Sequence, residues 1–266
     1  MNQTDIILET HNLRKEFGGL VAVEDVSIEI ARGSMHSIIG PNGAGKTTFF
    51  NLLTGKYKPT RGTVLFKGQD ITNMPVHRRA HIGIGRSFQI TNIFPNLTVL
   101  ENVRLAIQAL RPVNFQFWRR ADSYTDYTQR ALEVLDLIGL SDSVALPATV
   151  LPHGGKRKLE LAILLAADPE MLLLDEPTAG MASEQVPELM KIIGDIARQG
   201  DKTIVMVEHN MNVVMGISDR ITVMSAGKVL TEGTPTQIAA DKTVQSVYLG
   251  ELYDLSEEKT KRGEVS

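Results

Sequence analysis

The sequence predicts an α/β fold: a mainly parallel sheet with helices, antiparallel strands at its N-terminal side, and an inserted helical segment. Three observations carry that prediction. Gly40-Pro41-Asn42-Gly43-Ala44-Gly45-Lys46-Thr47-Thr48 fits glycine, four residues, Gly-Lys-Ser/Thr at every specified position, between an apolar strand and a helical run. Met171–Leu174 and Thr203–Val207 are short β-rich runs of the kind parallel sheets bury on both faces. Between about residues 89 and 167 the apolar spacing turns helical.

Taken in order, Ile6–Leu13, Val23–Ile30 and Met35–Ile39 read as antiparallel strands separated by Gly18-Gly19 and Arg32-Gly33. Phe49–Leu53 continues the phosphate-loop motif as a helix stopped by Gly55. Thr63–Phe66 with Lys67-Gly68 opens a further hairpin, and Ile82–Phe88 is a strand ending at Gln89. Val99–Leu110 and Ala131–Ile138 have helical spacing, punctuated by Pro95, Pro112, Pro147 and Pro152. Between them Phe115–Arg120 sets three aromatics beside two cations, favouring a loop pinned by its own rings over a partner-docking patch.

Ser183 is a suitable N-cap for a helix with Val186, Leu189, Met190, Ile193 and Ala197 on one face and Gly200 as its stop. Arg220–Met224 and Lys228–Thr231 pair across Ser225-Ala226-Gly227, and Thr234-Pro235 opens a short helix. These boundaries predict one domain over 1–250, with 1–88 and 168–250 as core and 89–167 as helical insert. A polar tail follows over 251–266.

The composition narrows the function. With 266 residues, 42% apolar and 22% charged, the chain can bury an ordinary soluble core. It has no run of eighteen apolar residues, and Met1–Asp5 lacks the start of a secretory signal. The absence of cysteine excludes disulfides and thiolate metal sites, and a net charge of −3 argues against a nucleic-acid surface.

The chemistry concentrates at strand ends. Glycines at 40, 43 and 45 let successive backbone N–H groups of Gly40 to Thr48, Pro41 excepted, converge on phosphate oxygens, and the following helix adds its positive dipole end. Lys46 supplies a point charge, and the Thr47 hydroxyl can ligate Mg²⁺. Asp175 and Glu176 follow a buried strand, where parallel sheets place their ligands. There Asp175 can hold Mg²⁺ and Glu176 can activate water. His209 ends a second such strand; contact with a terminal phosphate and a structural role both stay open. For Phe17, stacking on an adenine and simple filling of core or loop are likewise both open.

These motifs, in this order, resemble the nucleotide-binding subunits of ABC transporters over nearly the whole chain. They run from Gly40–Thr48 and Gln89 through the signature Leu151-Pro152-His153-Gly154-Gly155 to Asp175-Glu176, Ala179–Ala182 and the switch residue His209. Within that family the chain is most similar to the ATPases of branched-chain amino-acid importers. The marks are Gly83–Gln89, Leu97–Val103, Val207–Met211 and Val247–Gly250.

The resemblance implies a RecA-like P-loop NTPase core binding ATP and Mg²⁺. Glu176, His209 and Gln89 would be catalytic, Phe17 and Gly40–Thr48 nucleotide-binding, and Thr47, Gln89 and Asp175 metal ligands. It implies a second ATPase subunit, identical or sister, that receives Pro152, His153, Gly154 and Gly155 in trans. It also implies two permease subunits docked on Gln89–Val103, a substrate-binding protein acting through them, and residence on the cytoplasmic face of the membrane. Pro152 replaces the usual signature serine, Gly155 the glutamine, and Ala182 an acid or amide; proline suits the first turn of a helix. Another ABC transporter, of a different solute or lipid, is the alternative. A soluble ABC ATPase on DNA or ribosomes would carry arms or a second ATPase unit, and a module without turnover would often lack Glu176.

Overall fold

The computed structural model describes residues 5–87, 93–109 and 125–247, with only the backbone for Thr125 and Asn212. In chain order its strands and helices begin β1 (Ile6–Phe17), β2 (Leu20–Val26), β3 (Glu29–Ala31), β4 (Met35–Ile39), α1 (Lys46–Leu53), β5 (Arg61–Phe66) and β6 (Gln69–Asp70). The middle holds α2 (Val76–His81), β7 (Ile84–Arg86), α3 (Val99–Ala109), α4 (Thr125–Leu137), α5 (His153–Ala166), β8 (Met171–Asp175) and α6 (Val186–Arg198). The chain then runs through β9 (Thr203–Val207), α7 (Met211–Ile217), β10 (Arg220–Ser225), β11 (Lys228–Gly233) and α8 (Pro235–Ala240). Two compact units result, Met1–Pro75 with Val205–Ser266, and Val76–Ile204.

In the first unit β1 pairs antiparallel with β2, β3 and β5, and β5 with β6. The expected strand Val23–Ile30 is broken in two. Asp25 takes a positive φ of 52°, and beyond it the Ile28 N–H turns to the Thr10 hydroxyl at 3.0 Å. Met35–Ile39 also departs from the antiparallel expectation: β4 lies parallel to β10, with Ser37 opposite Ile221 and Ile38 opposite Thr222. All five of its residues are buried, as in a strand covered on both faces. The strand order there is β11-β10-β4-β9. The β10–β11 hairpin forms as the turn residues predict, and Thr234 caps α8 in a full capping box with Gln237.

The second unit holds the parallel pair β7–β8 and helices α2 to α6. Helices α3, α4 and α5 pack together through Val103, Ile107, Ala131, Leu135, Leu159 and Ala162, all buried. Helix α6 buries the expected Leu189, Met190 and Ile193 and ends before Gly200, at φ 75°. Its cap is not Ser183. Residues 183–185 form a turn in which the Gln185 N–H reaches the Ala182 carbonyl, and the helix starts at Val186 with Pro187 in its first turn. Among the described residues no helix is long and apolar enough to cross a membrane.

Candidate active site

In the first unit, β4 delivers the chain to a loop that only glycine can build at two points. Gly40 has φ 151°, and a Cβ there would lie 2.1 Å from the Met224 carbonyl oxygen. Gly45 has φ 92°, and its Cβ would lie 2.4 Å from the Ala22 carbonyl oxygen. Gly45 is the N-cap of α1 and no side chain caps that helix start, whose positive dipole end suits an anion. The Lys46 ammonium is folded over the loop, donating to the Gly40 carbonyl at 2.6 Å and the Pro41 carbonyl at 2.9 Å. Asn42, Gly43 and Thr47 are exposed. The loop is strapped by the Gly227 N–H, which donates to the Ala44 carbonyl at 3.0 Å. No sequence signal marks Ala22 and Gly227 as loop supports, because both contacts are tertiary.

Phe17 ends β1 and is 43% exposed, so it does not fill the core. Tyr57 meets its ring edge-on at 5.3 Å and 76°, and the Lys15 ammonium sits 5.0 Å from its centroid. The Lys15 amine also donates to the Lys58 carbonyl at 2.9 Å, which fixes its place. Two sides of the ring are thus supported while much of it stays open to solvent. In the same unit His209 follows β9 and is exposed. Its N–H donates to the carboxylate of buried Glu208 at 3.0 Å, and the Asn210 N–H to the same oxygen at 3.4 Å. The Asn210 side chain then caps α7.

In the second unit Asp175 ends β8, 5% exposed, and its N–H donates to the Ser87 hydroxyl at 2.9 Å. Glu176 follows in a left-handed conformation, φ 47°, unusual for a residue with a side chain. The Ala179 N–H donates to the Glu176 carbonyl at 3.0 Å, closing the turn that starts there. Pro152 lies just outside the first turn of α5: it is the N-cap, with ψ 165°, and gives the helix no side-chain cap. Gly154 is buried under the Gln185 side chain, and the His153 ring lies over Gly180. Gln89 lies outside the described residues, as do Phe115–Arg120, Tyr248–Gly250 and the tail over 251–266.

Downstream of Gln89, nothing in the order of residues hints at the role of Asn102. This buried residue accepts the Phe94 N–H at 2.7 Å and donates to the Phe94 and Thr98 carbonyls at 3.0 and 2.9 Å. Thr98 and Glu101 form a reciprocal cap at the start of α3. The turn they hold leaves Phe94 57% exposed. In the first unit the loop's amides, the Lys46 ammonium and the exposed Thr47 hydroxyl fit the phosphates of a nucleotide; in the second, the Asp175 carboxylate is a hard oxygen donor of the kind Mg²⁺ takes.

A phosphate loop on a buried strand, an acid pair at the end of another, and a glycine-rich helix start define an ATP-hydrolysing cassette. The comparisons agree. The ABC transporter family model matches residues 23–179, and one for the branched-chain amino acid ATP-binding cassette transporter matches residues 228–254. The chain belongs to the ABC transporter family and is an ATPase of that family.

It is 41% identical over 252 residues to the high-affinity branched-chain amino acid transport ATP-binding protein LivG of Escherichia coli strain K12, covering 92% of this chain and 98% of LivG. It is 34% identical to the lipopolysaccharide export system ATP-binding protein LptB of Acidithiobacillus ferridurans, covering 94% and 99%. Among solved structures, the ADP conformation of MJ1267, an ATP-binding cassette of an ABC transporter, matches with a TM-score of 0.80 and 31% identity, over 92% of this chain and 99% of that one. The dimeric bacterial ABC transporter cassette MJ0796 matches with a TM-score of 0.73 and 29% identity, over 86% and 99%.

Proposed function

We propose that this ATPase powers uptake of branched-chain or related amino acids by an ABC importer, from the cytoplasmic face of the plasma membrane. The observation that carries the substrate class is the 41% identity to LivG along nearly all of both chains. The match over residues 228–254 supports it at the C-terminal end.

The loop's own geometry supports the nucleotide roles. Its amides cradle the phosphates, Lys46 neutralises their charge from its perch on the Gly40 and Pro41 carbonyls, and Phe17 stacks on the base. Thr47, Gln89 and Asp175 are the proposed ligands of Mg²⁺, which when bound neutralises phosphate charge. Glu176 is the proposed general base for the attacking water, with Gln89 and His209 assisting. A second ATPase subunit, identical or sister, is proposed to receive the start of α5, where Pro152, His153, Gly154 and Gly155 offer backbone donors rather than a serine hydroxyl.

For the two permease subunits, through which the substrate-binding protein acts, the proposed docking region is Gln89–Val103. Exposed Phe94 supports this, as do exposed Leu146 and Val150 on the segment hydrogen-bonded to it through Thr149 and Pro95. A largely apolar cleft of about 480 Å³ bordered by Ala80, Ser87 and Leu164 lies in the same unit.

The test is reconstitution with its own permease and binding-protein partners in vesicles, measuring ATP-driven leucine uptake. Glu176→Gln is expected to keep ATP affinity and to lose roughly 10²-fold or more of hydrolysis, because the amide keeps the shape and removes the base. Uptake of a different solute or extraction of lipid, with no leucine transport, would replace the substrate reading. Hydrolysis near the wild-type rate in Glu176→Gln would remove Glu176 as the base.

A further inference from the structure

The structure assigns to Arg157, which no motif above includes, a positioning role for the segment that carries Glu176. Arg157 lies on α5, just past the signature glycines. Its Nη2 donates to the Ala179 carbonyl at 3.1 Å, and its Nη1 to Glu160 Oε2 at 2.9 Å. Both side chains are largely buried, 16% and 17% exposed. Glu160 therefore aims the planar guanidinium, and the guanidinium holds a backbone carbonyl three residues past the proposed base.

That carbonyl belongs to the turn which fixes Glu176. The Ala179 N–H donates to the Glu176 carbonyl, so the Ala179 peptides are held from both sides, by Glu176 and by Arg157. Glu176 sits at φ 47°, a conformation that costs energy for any residue with a Cβ and persists only where the surroundings over-determine it. Arg157 supplies one such constraint.

Stability alone does not account for the pair. A buried ion pair roughly breaks even against an apolar replacement, because desolvation offsets the attraction. Arg157 Nε and Glu160 Oε1 are moreover buried without a hydrogen-bond partner among the described residues. A fork aimed at one carbonyl gives direction rather than net energy.

The same helix start touches this segment at two further points. A Cβ on Gly180 would lie 3.5 Å from His153 Cε1, and one on Gly154 would lie 2.8 Å from Gln185 Oε1. The signature end of α5 and the turn from Glu176 to Gln185 are therefore packed as one piece. A displacement of α5 by a phosphate at its N-terminus would carry the Ala179 carbonyl, and with it the backbone of Glu176.

This inference rests on the reading of Glu176 as the base, and the experiment separates the two. ATP turnover, KM, nucleotide affinity and melting temperature are measured for Arg157→Met and Arg157→Lys, each alone and with Glu176→Gln, in the assembled transporter. Misplacing a reacting group costs up to roughly 10²-fold. Arg157→Met is therefore expected to lower kcat about 10- to 100-fold, with KM and nucleotide affinity nearly unchanged. Because it leaves the Glu160 carboxylate without its partner it also lowers the melting temperature, so kcat is read well below the melting temperature of each variant. It is expected to remove nothing further from the residual rate of Glu176→Gln.

Arg157→Lys keeps the charge but lacks the fork, and is expected to fall between wild type and Met. If the Met variant does not fold, the lysine variant decides by the same readouts. A wild-type kcat in a folded variant overturns the assignment, as does an equal fold-loss in the Glu176→Gln background or a loss that merely tracks melting temperature. A fully active Glu176→Gln instead overturns the base and leaves Arg157 a structural clamp.

Discussion

His36 Nε2 lies 2.7 Å from the Thr222 hydroxyl, and that hydroxyl is 3.0 Å from the Glu232 carboxylate. The carboxylate accepts, so the hydroxyl donates to it and His36 Nε2–H donates to the hydroxyl. The three groups form a polar chain across β4, β10 and β11, on the strand that leads into the phosphate loop. Burial, opposed by the Glu232 charge and reinforced by that of Arg220, brings the His36 pKa down to about 4.

A depressed histidine pKa carries a definite pH dependence. Above the ordinary value of 6.5 both folded and unfolded chains hold neutral His36, and the shift contributes nothing. As pH falls from 6.5 toward about 4 the unfolded chain takes up the proton and the folded one does not, so stability is lost across that window. The full loss is about 3 kcal/mol. Urea denaturation from pH 7 to 4.5 should show it, and His36→Gln should flatten the slope there. A slope unchanged by that substitution would mean His36 titrates normally.

Two loop glycines should respond very differently to alanine. Gly43 has φ 76°, and a Cβ added there would meet nothing within 4 Å, so its substitution adds only backbone strain, about 1 kcal/mol. Gly45 has both the strained φ and a Cβ position 2.4 Å from a backbone oxygen, which has no flexible end to yield. Gly45→Ala should cost about 3 kcal/mol or more and abolish nucleotide binding. Melting curves with and without ATP separate the two. Equal destabilisation by both substitutions would show that the Ala22 contact does not constrain the loop.

What the sequence made legible was local. The phosphate loop, the buried runs ending at Asp175 and Val207, the stops at Gly55 and Gly200 and the hairpin around Gly227 each depend on neighbours in the chain. The parallel setting of β4 was not legible, because its partner β10 lies some 180 residues further on and a five-residue apolar run carries no direction. Ser183 has the right chemistry for a cap, but the turn from Ala182 to Gln185 carries the helix start past it. The task of Arg157 was not legible, because only the tertiary position of the Ala179 carbonyl gives it one.

As the N-cap of α5, Pro152 has an extended backbone, ψ 165°, and no side-chain oxygen to offer the first-turn amides. Pro152→Ser would place a hydroxyl within reach of the Gly154 or Gly155 N–H and add about 1 kcal/mol of capping. Losing proline's rigidity in the unfolded chain would offset roughly half of that. Because Gly154 and its neighbours offer backbone donors already, turnover should change only modestly, well short of the roughly 10²–10³-fold typical of a transition-state donor.

Gly154→Asp is the opposite case. It sets a carboxylate at a helix start that favours anions and crowds Gln185, whose amide oxygen would be 2.8 Å from the new Cβ. Gln185 can swing aside, so the decisive effect is charge against the phosphate proposed to meet this helix start, and transport should be abolished while the fold survives. Both variants should be assayed in the complete transporter with substrate and binding protein. Normal uptake by Gly154→Asp would mean that the start of α5 does not meet the nucleotide phosphate proposed for it.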